Sequence, residues 1–275
     1  MNLPTKFSLT TAMRRAGVSC KIRVYDTLDS TNAQARRMIE KGKIKGSKPF
    51  LLLAHTQTAG RGRLGRSFYS PEGSGLYFTL VFRYRPLPCS YLYRVTPAAA
   101  VAVAMAVERV VGRKPGIKWV NDLYLDGKKV CGILTETVPS ADGQDLFVIV
   151  GIGINVTTAD FPQNLRHPAG CIFSPDAQVG RKQLSEVVAL AVTGVLQLVD
   201  CPTECWELYQ SRFMLTGQTV TYTYVCEPDV PSDGEAAAPC RTVTGVVEGV
   251  THSYDLRLRL TDGTLLTLGS GEVTT

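Results

Sequence analysis

Phe50-Leu51-Leu52-Leu53-Ala54, Gln57-Thr58-Ala59-Gly60-Arg61-Gly62-Arg63-Leu64-Gly65-Arg66 and Leu76-Tyr77-Phe78-Thr79-Leu80-Val81-Phe82 follow one another along one stretch of the chain. The outer segments are continuous apolar runs of strand length, and the middle one packs three arginines and three glycines into a single loop. Two buried strands therefore carry a basic loop between them, the arrangement in which a rigid scaffold positions binding residues. No acidic residue occurs from Lys41 to Pro71. Glycine lets the main chain approach a ligand closely, and guanidinium groups present paired donors to carboxylate or phosphate. The expectation is a mobile anion clamp for a small, multiply charged ligand. An isolated cluster of this kind is more often a solvated loop or a nucleic-acid contact. The flanking strands argue for the clamp.

Working outward, Cys20–Tyr25 alternates like an edge strand, and Asp29-Ser30-Thr31-Asn32 precedes a run of helix formers, Ala33–Glu40, with Ser30 or Thr31 as N-cap. Arg94-Val95-Thr96-Pro97 opens an Ala/Val-rich buried helix that Gly112 closes. Ile117–Leu125 and Lys128–Glu136 flank Asp126-Gly127, a hairpin signal. A strand over Leu146–Val150 ends in Gly151-Ile152-Gly153-Ile154-Asn155-Val156, where glycines alternate with branched residues as if something packs against the backbone. Helices among mostly antiparallel strands make the class α+β. After a loop from Phe161 to Arg181, helices are expected at Gln183–Val199 and Thr203–Phe213. Past Gly217 the chain is β-rich: Thr219–Val225, Val243–Val250, Asp255–Leu260 and Leu265–Leu268, with a tight turn at Asp262-Gly263. The expected domains are 1–214, catalytic, and 215–275, a small β-barrel-like module, with a disordered insertion at 226–241.

The net charge of +6 over 275 residues is modest and mixed, so composition by itself calls for neither nucleic acid nor a membrane surface. Eight cysteines show no CxxC pair and no zinc spacing, and they read as reduced thiols. No apolar run is long enough to span a bilayer, and no secretory signal is expected ahead of the first motif. The first twenty-five residues carry Lys6, Arg14, Arg15, Lys21 and Arg23 and no acid, a composition that also suits a mitochondrial transit peptide. The expected compartment is the cytoplasm, with the mitochondrion as the alternative.

Lys118 stands beside Trp119 and just before Asn121-Asp122. Each alone reads blandly, as a surface cation stacked on indole and as a turn starter. Together with the arginine loop they could hold two anions, the lysine acting as a point charge and Asp122 holding a divalent cation. Such a site suits carboxylate attack on a nucleotide α-phosphate, where cations offset the repulsion of like-charged reactants and the charge developing on phosphorus.

Five segments in order, Asp29–Asn32, Gly60–Arg66, Lys118–Asp122, Cys131–Glu136 and Gly151–Val156, resemble biotin protein ligase. The likeness spans roughly Val24–Val156 and continues more weakly to Gly269-Ser270-Gly271-Glu272-Val273. It implies a class II synthetase-like catalytic domain and an SH3-like C-terminal barrel. The first motif begins before residue 30, which leaves no room for the family's DNA-binding winged helix, so a ligase without repressor function is expected.

Carried over by position, the resemblance implies that biotin meets Ser30, Thr31, Gln57, Gly60, Arg61, Lys118 and the backbone at Gly132. The nucleotide meets Arg63, Arg66, Phe68, Asn121, Asp122 and Asn155, with Asp122 as a magnesium ligand. Lys118, Arg63 and Arg61 would be catalytic, and Trp119 and Tyr77 would shape the wall. Phe68 replaces a frequent tryptophan, Val120 a frequent proline, and Leu64 interrupts the basic loop; none of these removes a proposed catalytic residue.

The implied reaction joins biotin and MgATP as biotinyl-5'-AMP, then transfers biotin to a lysine of a carboxylase carrier domain. Partners are that carrier domain, biotin and ATP, with no nucleic acid and no membrane; the chain is a monomer or homodimer. A lipoate or octanoate ligase of the same fold is the near alternative, separable by competition of biotin with lipoate. A non-catalytic nucleotide or nucleic-acid binding module is the far one; it predicts steeply salt-dependent binding and no pyrophosphate release.

Overall fold

A computed structural model describes residues 1–84, 89–143, 146–163, 165, 167–224 and 241–274. The chain runs α1 (Lys6–Arg15), β1 (Lys21–Leu28), α2 (Thr31–Glu40), β2 (Phe50–Gln57), β3 (Gly75–Tyr84), α3 (Val95–Val111), β4 (Gly116–Lys118), β5 (Asp122–Leu125), β6 (Lys128–Pro139), β7 (Leu146–Asn155), α4 (Arg181–Leu198) and α5 (Pro202–Gln210). Then follow β8 (Thr219–Tyr224), β9 (Thr242–Val250), β10 (Leu256–Leu260), β11 (Leu265–Leu268) and β12 (Gly271–Thr274). Chain contacts divide it into Met1–Arg212 and Phe213–Thr275.

Local chemistry explains most of these elements. The Ser30 hydroxyl accepts from the Ala33 amide at 3.4 Å and starts α2. Gly112, at φ 76°, closes α3, whose Ala98–Ala104 run is buried. Asp126 and Gly127 both have positive φ, the conformation that turns β5 back into β6. The single segment read over Ile117–Leu125 is two strands, β4 and β5, which turn back on each other at 119–121 and pair antiparallel. Two elements lie beyond the sequence reading. One is β12; the other is α1, capped by Thr5 and Ser8 in a reciprocal pair without the usual Glu or Gln. A third difference is that β7 does not stop at Val150 but runs through the alternating glycines to Asn155. The insertion read at 226–241 lies outside the described residues except for Arg241.

Among the described residues of the first unit, seven strands form one sheet in the order β1-β2-β3-β7-β6-β5-β4. Only β1 and β2 are parallel, joined through α2; the other pairings are antiparallel. The mixed, mostly antiparallel α+β class read from the sequence is thus the observed one. Helix α2 lies on one face, where Ala35, Met38 and Ile39 pack on Phe50, Leu52, Val81, Val138, Phe147 and Ile149. Helix α3 covers the other, where Thr96 donates to Thr135, a residue whose side chain points opposite to its neighbour Glu136. Among the described residues of the second unit, five strands form an antiparallel sheet in the order β11-β10-β9-β8-β12. No helix of the described residues is long and apolar enough to cross a membrane. Cys20, Cys131, Cys171, Cys201 and Cys205 are free thiols.

Part of the Asp29–Asn32 motif holds the fold together. Asn32, buried, accepts from Thr79 Oγ1 at 2.7 Å and donates to Glu136 Oε2 at 2.8 Å, while Arg36 donates to the other Glu136 oxygen at 2.9 Å. The two Asp29 oxygens each take a guanidinium nitrogen of Arg37 at 2.7 Å, and Arg37 holds the Asp29 carboxyl down to about 2. A Cβ at Gly151 would fall 2.3 Å from Asn32 Oδ1. Gly151→Ala is therefore expected to cost ~1–3 kcal/mol, a fall in Tm of roughly 3–10 °C for a domain of this size. Thermal unfolding followed by circular dichroism checks it, and an unchanged Tm would show that the helix shifts freely.

Candidate active site

One row of paired residues crosses the sheet: Ala54, Tyr77, Gly153, Gly132, Asp122 and Lys118, on β2, β3, β7, β6, β5 and β4. Directly paired residues point to the same face, so this row has side chains at both ends and none in the middle. The two glycines make a trough between Tyr77 and the Asp122–Lys118 pair. The Phe68 ring lies in it, since a Cβ at Gly153 would sit 2.4 Å, and one at Gly132 3.1 Å, from its carbons. Phe68 meets the buried Tyr77 ring edge-on at 6.4 Å. This explains the alternation in β7: Gly151 and Gly153 admit Asn32 and Phe68 on one face, while Ile152 and Ile154 fill the core on the other.

At the Tyr77 side of the trough lies a polar patch. Gln57 Oε1 accepts from the Thr31 amide at 2.8 Å and from Thr31 Oγ1 at 3.1 Å, and Gln57 Nε2 donates to Ser70 Oγ at 3.0 Å. Gly60 is packed into the same patch, because a Cβ there would fall 2.4 Å from the Phe68 carbonyl.

The arginine loop is a small closed hairpin. Phe68 N donates to Gly60 O at 2.8 Å and Gly62 N to Arg66 O at 2.7 Å, and Leu64 and Gly65 turn the tip with positive φ. Closure separates the three arginines. Arg61 and Arg66 are exposed, whereas Arg63 is half-buried and its Nη1 donates to Asn121 Oδ1 at 3.2 Å. That bond joins two motifs far apart in the chain.

Asn121 is itself held, its Nδ2 donating to Ile133 O at 2.9 Å and to Asp122 Oδ1 at 3.1 Å. The other Asp122 oxygen accepts from Lys129 Nζ at 2.6 Å. Lys118 is only 5% exposed, and its ammonium lies 5.6 Å from the centre of the Tyr124 ring. The Tyr124 hydroxyl is buried with no hydrogen-bond partner among the described residues, and burial together with the Asp122 charge pushes its pKa up. Arg63, Lys118 and Lys129 thus share the Asn121–Asp122 corner, a place suited to anionic oxygens.

The structure brings Thr31, Gln57, Gly60 and Phe68 together at the Tyr77 side of the trough, with Ser30 next to Thr31 as the cap of α2, Gly132 in the floor, and Arg63, Asn121, Asp122 and Lys118 at the other side. Asn155 is placed differently: its amide donates to Gly170 O at 3.0 Å and Lys129 O at 3.4 Å, tying the end of β7 to the next loop. Asp122 does not fit a resident magnesium ion. Its carboxylate meets Lys129 at 2.6 Å and, among the described residues, no three His, Cys, Asp or Glu side chains form a cage for an ion without nucleotide phosphates; a part in holding the magnesium of a bound nucleotide is a separate matter. Sequence reasoning missed Lys129 and Ser70. A lysine just past a hairpin turn reads as solvated, and only the β5–β6 register turns it onto Asp122.

Residues 26–155 match the biotin/lipoate A/B protein ligase family. The chain is similar to the bifunctional ligase/repressor BirA of Bacillus subtilis, 40% identical over 144 residues, covering 52% of this chain and 43% of the relative. It is also similar to the biotin–[acetyl-CoA-carboxylase] ligase of Paracoccus denitrificans, 39% identical over 133 residues, 48% of this chain and 52% of the relative. The matched region thus spans about half the length of these curated relatives. A solved structure, the biotin protein ligase of Aquifex aeolicus in complex with biotin and ATP, superposes with a TM-score of 0.69 at 26% identity over 92% of this chain and 97% of that one. Residues 26–155 are a domain of the biotin/lipoate A/B protein ligase family.

Proposed function

We propose that the chain is a biotin protein ligase that joins biotin to AMP from MgATP and then transfers biotin to a lysine of a carboxylase carrier domain. The observation that carries this reading is the Arg63–Asn121 bond, which closes the arginine loop onto the Lys118 corner beside a glycine-floored trough. Biotin lies along the trough. Its neutral ureido ring meets Ser30, Thr31 and Gln57, groups that donate and accept hydrogen bonds without adding charge. Its carboxylate points to Lys118, where Arg63 and Lys129 bring the nucleotide α-phosphate alongside.

Two anions held together in this way react because fixed cations offset their repulsion and the charge growing on the phosphoryl oxygens. Carboxylate oxygen bonds to phosphorus as pyrophosphate leaves, and the acceptor amine later displaces AMP from the mixed anhydride. Magnesium enters as the counter-ion of ATP. Phe68 rides on the loop and fills the trough, so ligand entry displaces ring and loop together; the loop then covers the anhydride against water. The unit Phe213–Thr275, with its five antiparallel strands, is read as the SH3-like module, and the compartment as the cytoplasm.

The test incubates the purified chain with biotin or lipoate, MgATP and a biotin carboxyl carrier domain. Expected are biotin-dependent pyrophosphate release, an intermediate with the mass of biotinyl-AMP, and biotinylated carrier. Lipoyl transfer without biotinyl transfer would replace this reading, and absence of any acyl-adenylate would end it.

A further inference from the structure

Ligation makes no use of the acid-free, basic opening of the chain. Lys6, Arg14, Arg15, Lys21 and Arg23 precede the first acid, Asp26. The structure folds Lys6–Arg15 of this segment into α1, which buries Leu9 and Met13 and packs on α4, with Ser185 Oγ donating to Ser8 Oγ at 2.8 Å. Yet Phe7, on the same helix, is 83% exposed. It stands at a groove of about 730 Å³ between the two helices.

Each helix contributes one stripe to that groove, residues 7, 8, 11, 12 and 15 on α1, continued by its C-cap Ala16, and 181, 182, 185, 186, 189 and 190 on α4. Ala12, Ala16 and Ala189 are small enough to admit another backbone closely, and Leu190 adds apolar surface beside Phe7. The rest of the lining is charged, and in one sense. Arg15, Arg181, Lys182 and, from α3, Arg109 face a single acid, Glu186. Arg15, Arg109 and Lys182 make no ion pair with any described residue, and Arg181 is held only by the Leu3 carbonyl at 2.7 Å.

We infer that the α1–α4 groove docks an acidic amphipathic helix of a partner protein. Both walls are helices whose backbone groups are already bonded, so an extended peptide finds no edge to extend, whereas two parallel side-chain stripes accept the apolar face of a third helix. Phe7 and Leu190 give that face an anchor, and the four cations select acids along its flanks. A free anion would leave Phe7 unused. A second copy of this chain, with net charge +6, is a poor electrostatic match.

The full chain is titrated into a fluorescein-labelled peptide of about 18 residues, leucines at helical spacing and glutamates elsewhere, with fluorescence anisotropy as readout. A scrambled peptide of the same composition is the control. Expected is one-to-one saturation at least about tenfold tighter than the scramble (~1.4 kcal/mol), weakened by salt. Phe7→Ser and Arg109→Glu, both at exposed positions, should each lose about tenfold or more, and amide shifts on titration should map to α1 and α4. Equal affinity for the scramble, undiminished binding by both variants, or shifts confined to the arginine loop would each overturn the inference. So would sedimentation showing a dimer that Arg109→Glu disperses, since a second copy would then be the occupant.

Discussion

Lys118→Met abolishes biotin-dependent exchange of pyrophosphate into ATP, with a loss of roughly 100-fold or more in kcat/KM, while the unfolding temperature stays near that of the parent. The reason lies in where the ammonium sits. It is almost wholly buried, and the carboxylate in register with it, Asp122, is taken by Lys129 at 2.6 Å. The ammonium also lies over the Tyr124 ring, 5.6 Å from its centre. A cation in such a water-poor place acts strongly on charge that develops only in the transition state, and removing one fixed donor of this sort typically costs 10²–10³ in rate. Methionine keeps the length and apolar stem of lysine, so the wall stays filled and the deficit is one of charge. Lys118→Arg keeps the charge in a forked group and should recover part of the activity. Full exchange activity in Lys118→Met, with the protein folded, would remove the residue from the mechanism.

Arg63→Ala leaves adenylate formation detectable but lets the intermediate escape or hydrolyse roughly 10- to 100-fold faster than in the parent, a loss in the range of one charge-assisted hydrogen bond. The Arg63 side chain crosses from the loop to Asn121, at 3.2 Å, and so latches the loop over the trough. Arg61→Ala, at an exposed position, should cost less. Rapid gel filtration of chain loaded with radiolabelled biotin and MgATP measures retention directly. Equal retention by Arg63→Ala and the parent would place the latch elsewhere.

Much of the scaffold is legible without coordinates because its causes are local. Apolar runs at Phe50–Ala54 and Leu76–Phe82, the serine cap of α2, the glycine stop of α3 and the Asp126-Gly127 turn each depend on neighbours a few residues away. Helix α1 escaped because Ser8 stands where a capping box usually shows Glu or Gln, and because its basic composition also fits a targeting segment. The glycine alternation in β7 signalled close packing, but not that Asn32 and Phe68 are the groups that pack there.

By itself the sequence determined the kinds of elements, the α+β class, the basic loop between two core strands and the motifs that carry the family likeness. Tertiary structure alone decided which residues meet. Strand register aligned Tyr77, Gly153, Gly132, Asp122 and Lys118 across five strands, turned Lys129 onto Asp122, and selected Arg63 from three arginines that look alike in the sequence. The physical reason is range. Helix caps, turns and strand periodicity are set by neighbours along the chain, whereas register and loop closure are set by pairing between separate segments, from seven residues apart for Lys129 and Asp122 to 58 for Arg63 and Asn121, which no local pattern encodes.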